Sequence, residues 1–65
     1  MELTEREKQT ARLLLEGKTP KQIADTLGVS KRAVDKYLAR LREKTGFPNT
    51  SLKAAHLANA RGMLK

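Results

Sequence analysis

Apolar side chains recur along this chain at intervals of three and four, the spacing of one helix face, and no run alternates with the period of a strand. Thr10, Ala11, Leu14 and Leu15 form such a face on a first segment, Ile23 and Leu27 on a second, and Val34, Leu38 and Leu41 on a third. Start and stop residues bound these segments. Thr4-Glu5-Arg6-Glu7 and Thr19-Pro20-Lys21-Gln22 both spell capping boxes, in which a threonine and a Glu or Gln three residues later satisfy each other's backbone N–H groups. Pro20 suits a first helical position, and Ser30 caps the third segment. Gly17, Gly28, Gly46 and Gly62 follow the helix ends, with Pro48 just beyond Gly46. The pattern predicts an all-α, compact four-helix domain with helices at about 5–16, 20–27, 31–44 and 51–61.

Within it, residues 19–40 are the most informative stretch. Only Leu27-Gly28-Val29 separates the second helix from the third, so the two must cross steeply, as a helix-turn-helix. Ala24 lets the backbones approach. Ile23, Leu27, Val29, Val34 and Leu38 are spaced to close a small shared core, which leaves one side of the third helix exposed.

At 65 residues there is room for one domain, spanning 1–65, and little for an enclosed active site. The chain has no cysteine and a single histidine, His56, so neither a thiolate nor a carboxylate–histidine metal site is expected. No nucleophile–base–orienter set is visible, and an enzyme, a cofactor or a small-molecule ligand is not expected. No apolar run reaches membrane-spanning length and the start lacks signal-peptide features, so a cytoplasmic location away from membrane is expected. Met1 sits just before the first capping box.

Charge changes the picture. The formal net charge is +7. Residues 1–29 are neutral in balance, and the whole excess lies from residue 30 onward, on and after the exposed third helix. That is the footprint expected of a nucleic-acid binder, with a solvated, solubilising surface as the alternative. At 100° per residue, Arg32, Asp35, Lys36, Ala39 and Arg40 lie opposite the apolar stripe, with Tyr37 at its edge. The major groove of DNA accepts one helix, so Arg32 and Lys36 are candidates for reading guanine O6 and N7. Ala39 could touch a thymine methyl. Asp35 either accepts from a cytosine N4 or pairs with a neighbouring Arg or Lys, and the pairing is favoured because a free carboxylate facing phosphates is repelled. Thr19 and the start of the second helix, Lys21, Lys31, Arg40, Arg42 and Lys44 are candidates for phosphate contacts, which position without specifying sequence.

The fourth segment is rich in small residues. Ala54, Ala55, Ala58 and Asn59 could line a stripe along which two copies approach about a two-fold axis; alanine chosen for helix propensity alone is the alternative. Phe47 is expected to anchor the turn before it.

Taken together, Leu3-Thr4-x-Arg6-Glu7, Glu16-Gly17-Lys18-Thr19-x-Lys21-x-Ile23-Ala24, Leu27-Gly28-Val29-Ser30, Val34, Lys44-x-Gly46 and Gly62-Met63-Leu64 resemble the LuxR/FixJ/NarL-type (GerE-like) DNA-binding domain over essentially the whole chain. The resemblance implies a transcriptional regulator that places its third helix in the major groove, keeps Lys21 near phosphate and dimerises weakly through its fourth helix. Double-stranded DNA, a second copy and RNA polymerase are the partners it implies. A sigma-factor region 4-like promoter-recognition domain and a protein-binding adaptor using the fourth helix are the alternatives. Where the family usually carries Thr-Val-Lys this chain has Ala33-Val34-Asp35, and Tyr37 replaces a frequent histidine. Thr10 and Ala11 stand where larger aliphatics are common and Leu15 where a small residue often sits, so volume has moved within the core.

Overall fold

The computed structural model describes residues 2–47 and 50–65. Four helices follow one another, α1 (Glu5–Leu15), α2 (Pro20–Leu27), α3 (Lys31–Thr45) and α4 (Ser51–Ala60), with no strand among the described residues. Both capping boxes form. The Thr4 hydroxyl oxygen accepts from the Glu7 N–H at 3.3 Å while Glu7 Oε1 accepts from the Thr4 N–H at 2.9 Å. Thr19 and Gln22 repeat the exchange at 3.2 and 2.9 Å. Ser30 Oγ accepts from the Ala33 N–H, and Thr50, which the sequence pattern did not single out, caps α4 through the Lys53 N–H.

The α2–α3 turn depends on one glycine. Gly28 takes φ 68°, ψ 34°, and the Val29 N–H closes back on the Ala24 carbonyl at 3.0 Å, the bond that lets the chain leave one helix and re-enter another within three residues. Gly46 repeats the device after α3 at φ 73°. Pro48, expected to reinforce that stop, lies outside the described residues.

α3 packs against all three other helices. Its N-terminal half carries Val34 and Leu38 against Ile23 and Ala24 of α2, flanked by Leu13, Leu27 and Val29. Leu41 belongs to a second cluster with Leu3, Ala11, Ala54, Ala55, Ala58 and Leu64. Leu14 packs against both. Three alanines of α4 have no accessible surface, so its backbone sits close to α1 and α3, where Leu14, Leu15 and Phe47 supply the bulk. The buried hydroxyls are not orphaned: Thr10 donates to the Arg6 carbonyl at 2.7 Å and Thr45 to the Leu41 carbonyl at 2.9 Å, each one turn back.

After α4 the chain folds back. Leu64 is buried beside Leu3, the Lys8 ammonium donates to the Lys65 carbonyl at 2.8 Å, and the Arg12 guanidinium donates to the Leu64 carbonyl. Arg61 donates to the Thr45 carbonyl at 3.0 Å, placing a cation at the negative end of the α3 dipole. No helix among the described residues is long and apolar enough to cross a membrane.

Candidate nucleic-acid interface

The structure sorts the cations into those held by the protein and those left to solvent. On α3, Arg32, Lys36 and Arg40 are exposed and make no ion pair among the described residues. They recur every four residues, so they stand in a row along the helix, roughly 6 Å apart from one to the next, the rise of about two base pairs. Ala39 is exposed beside them. Asp35 is not a free carboxylate: the Lys31 ammonium donates to its Oδ2 at 3.3 Å, with both side chains more than half exposed. Such an exposed pair adds only about 0.3–0.5 kcal/mol to stability. It does cancel the one negative charge in the N-terminal half of the row. Glu43 is exposed on the same face two turns further on and bounds the positive surface at the C-terminal end of α3.

Arg42 and Lys44, expected at phosphates, are turned inward. Arg42 Nη1 donates to Ser51 Oγ at 2.5 Å, joining α3 to the start of α4. Lys44 Nζ donates to Glu7 Oε1 at 2.7 Å and to the Glu2 carbonyl at 3.1 Å, with the Lys44 and Glu7 side chains only 14% and 5% exposed. Burial alone would push the Glu7 carboxyl up. The Lys44 hydrogen bond, the Thr4 N–H and the Lys44 charge outweigh it and hold the carboxyl below its ordinary range.

At the start of α2, Thr19 and Lys21 are both exposed. The capping box uses the Thr19 and Gln22 amides, Pro20 has none and Ile23 donates to the Thr19 carbonyl at 2.9 Å. The Lys21 amide and ammonium and the Thr19 hydroxyl proton are therefore what this end can offer an anion.

Ala54, Ala55 and Ala58, expected on a surface between two copies, lie instead in the chain's own core at 0% exposure; of that set only Asn59 is exposed. Alanine tolerates either side of a helix, and here its small volume serves the contact with α1 and α3. The outward stripe of α4 is Leu52, His56, Asn59 and Ala60, with Leu52 47% exposed, the one large apolar side chain so placed among the described residues.

Tyr37, expected only as a core-edge residue, borders a cleft of about 360 Å³ between the start of α1 and the flank of α3. Thr4, Glu7, Ala33, Lys36, Tyr37 and Arg40 line it. The 33/36/37/40 spacing was the available sign in the sequence; the α1 wall, contributed from some thirty residues away, was not.

The model of a family of bacterial regulatory proteins, the luxR family, matches residues 1–58. Three similar proteins each bear the name "Probable transcriptional regulator ycf29". That of Pyropia yezoensis is 40% identical over 57 residues, covering 88% of this chain and 26% of its own length. That of Porphyra purpurea is 46% identical over 50 residues, 77% of this chain and 24% of its own. That of Guillardia theta is 36% identical over 47 residues, 72% of this chain and 23% of its own. The chain thus spans about a quarter of the length of the curated relatives it matches. No solved structure matches it significantly.

Proposed function

The chain belongs to the luxR family of bacterial regulatory proteins, and from that premise we propose that it binds double-stranded DNA sequence-specifically, as the DNA-contacting part of a transcriptional regulator. One observation carries the reading: the row Arg32, Lys36, Arg40 on the exposed face of α3, without an ion-pair partner among the described residues, with Asp35 neutralised beside it. A helix about 10–12 Å across fits a major groove about 12 Å wide. In that seat Arg32 and Lys36 read base edges, each bidentate contact being worth about 1–3 kcal/mol of discrimination. Ala39 leaves room for a thymine methyl. Asp35 holds Lys31 rather than a base. Thr19, Lys21, Lys31 and Arg40 take phosphates, whereas Arg42 and Lys44 serve the fold.

Selection from random duplexes at fixed salt, followed by anisotropy titrations over a salt series, tests the reading. The logarithm of affinity should fall with log salt by about 0.9 per neutralised phosphate, and Lys21→Ala should reduce that slope by about one. Arg32→Ala and Lys36→Ala should flatten the base preference. Equal binding of all duplexes by the wild type, with both variants indistinguishable from it, overturns the assignment of α3 to the groove.

Pairing of two copies on half-sites about 10–10.5 bp apart is part of this reading. With the alanines buried, the contact falls to Leu52, His56 and Asn59, spaced i, i+4, i+7 on the outward face of α4. A contact this small gives a weak dimer, formed chiefly on DNA.

A further inference from the structure

The cleft between the start of α1 and α3 has the chemistry of a phosphate seat. Two of its lining residues, Lys36 and Arg40, are cations without an ion-pair partner among the described residues. Its one carboxylate, Glu7, is already committed to Lys44 at 2.7 Å and to the Thr4 amide at 2.9 Å. Between Lys36 and Arg40 in sequence stands Tyr37, half-buried, whose hydroxyl makes no hydrogen bond among the described residues. Ala33, one turn earlier, adds only a methyl group to the lining. A tyrosine and an arginine that line one open cleft can offer an O–H and a guanidinium to an anionic oxygen that also carries a neighbour on either side. A free ion needs no such open ends; a phosphodiester does.

We propose that this cleft seats a backbone phosphate of the DNA strand bordering α3, with the Tyr37 hydroxyl donating to one phosphate oxygen and the Arg40 guanidinium to the other. Lys36 keeps its place at the bases. A helix lying in the major groove has a strand on each side. α3 presents Lys31 and Asp35 on one flank and Ala33 and Tyr37 on the other, so the second flank has in Tyr37 its own means of fixing register. Tyr37 is thereby a positioning residue for the contacts made by Arg32 and Lys36. The inference rests on the DNA-binding reading above and adds a contact to it.

Tyr37→Phe separates the two. The change removes only a hydroxyl without a partner among the described residues, so its thermal midpoint should match wild type; a merely structural role would move it. Its affinity should drop about 3–10-fold on every duplex alike, with the salt slope unchanged because no charge is lost. Arg40→Gln should lower the slope by about one, and Tyr37→Phe should cost less in that background than alone, since the two share one phosphate. Titration with inorganic phosphate in place of DNA should leave the Tyr37 ring resonances unmoved. Wild-type affinity in Tyr37→Phe, a loss confined to one base pair, or saturable shifts with inorganic phosphate alone each overturn the phosphodiester seat while DNA binding stands. A wild-type protein that binds no duplex overturns both.

Discussion

Lys44→Met tests whether the cation nearest the C-terminus of α3 serves the fold or the nucleic acid. At 2.7 Å and an effective dielectric constant near 20, the Lys44–Glu7 attraction is about 6 kcal/mol before desolvation, most of which burial takes back. Removing one partner of a buried pair typically costs about 3–5 kcal/mol, because the other charge stays behind. Here Lys44 retains some solvent contact and Glu7 keeps its bond to the Thr4 amide, so we expect about 2–3 kcal/mol. A domain of this size has roughly 3–10 kcal/mol in all. The loss should appear as a fall of roughly 10–20 °C in melting temperature, or a matching shift in urea midpoint with unchanged slope. Adding Glu7→Gln to Lys44→Met should recover part of it by removing the stranded carboxylate. The pH dependence has a defined sign. Because the folded protein holds the Glu7 carboxyl below its ordinary range, the pair contributes in full above that range and loses its contribution as pH falls through the lowered value. Wild type and Lys44→Met should therefore converge in acid. Under conditions where both are folded, the salt slope of DNA binding should be the same for the two. A cost below about 0.5 kcal/mol, a stability gap that persists in acid, or a slope lowered by one would refute the assignment of Lys44 to the fold.

Other expectations follow from single contacts. Gly28→Ala meets no atom within 4 Å but must hold φ 68°, so it should cost about 1–2 kcal/mol by chemical denaturation; a neutral result would mean the turn relaxes to another conformation. Leu64→Ala, at a side chain only 7% exposed, should cost about 2–4 kcal/mol in the same measurement. Leu52→Glu should leave the unfolding free energy of the free protein within about 0.5 kcal/mol of wild type. In sedimentation on duplexes with paired half-sites it should abolish the second copy's cooperative binding, and retained cooperativity would place the contact elsewhere.

What the sequence made legible and what it hid differ in range. The caps at Thr4, Thr19 and Ser30 and the left-handed turn at Gly28 are decided within three or four residues, so residue type and spacing suffice to place them. The exposed row on α3 follows from the same periodicity once Val34, Leu38 and Leu41 are placed inside. Lys44 and Glu7 are 37 positions apart, and nothing local to α3 distinguishes a lysine that reaches back to α1 from one that reaches outward. Arg42 poses the same problem with Ser51. The α4 alanines were misleading for another reason: a methyl group suits both faces of a helix, so their spacing carries no direction. Without a strong apolar stripe in α4, only packing against α1 and α3 decides which side is in.

The fold-back of residues 61–65 has a further consequence. Glu2 and Leu3 line one cleft together with Gly62, Met63 and Lys65, and no residue of α3 belongs to it. Residues 2–3 and 62–65 therefore meet at one place on the molecule. A polypeptide continuing from either end would leave from that shared doorway rather than across the cationic row, and a short linker could join the ends without unravelling a helix.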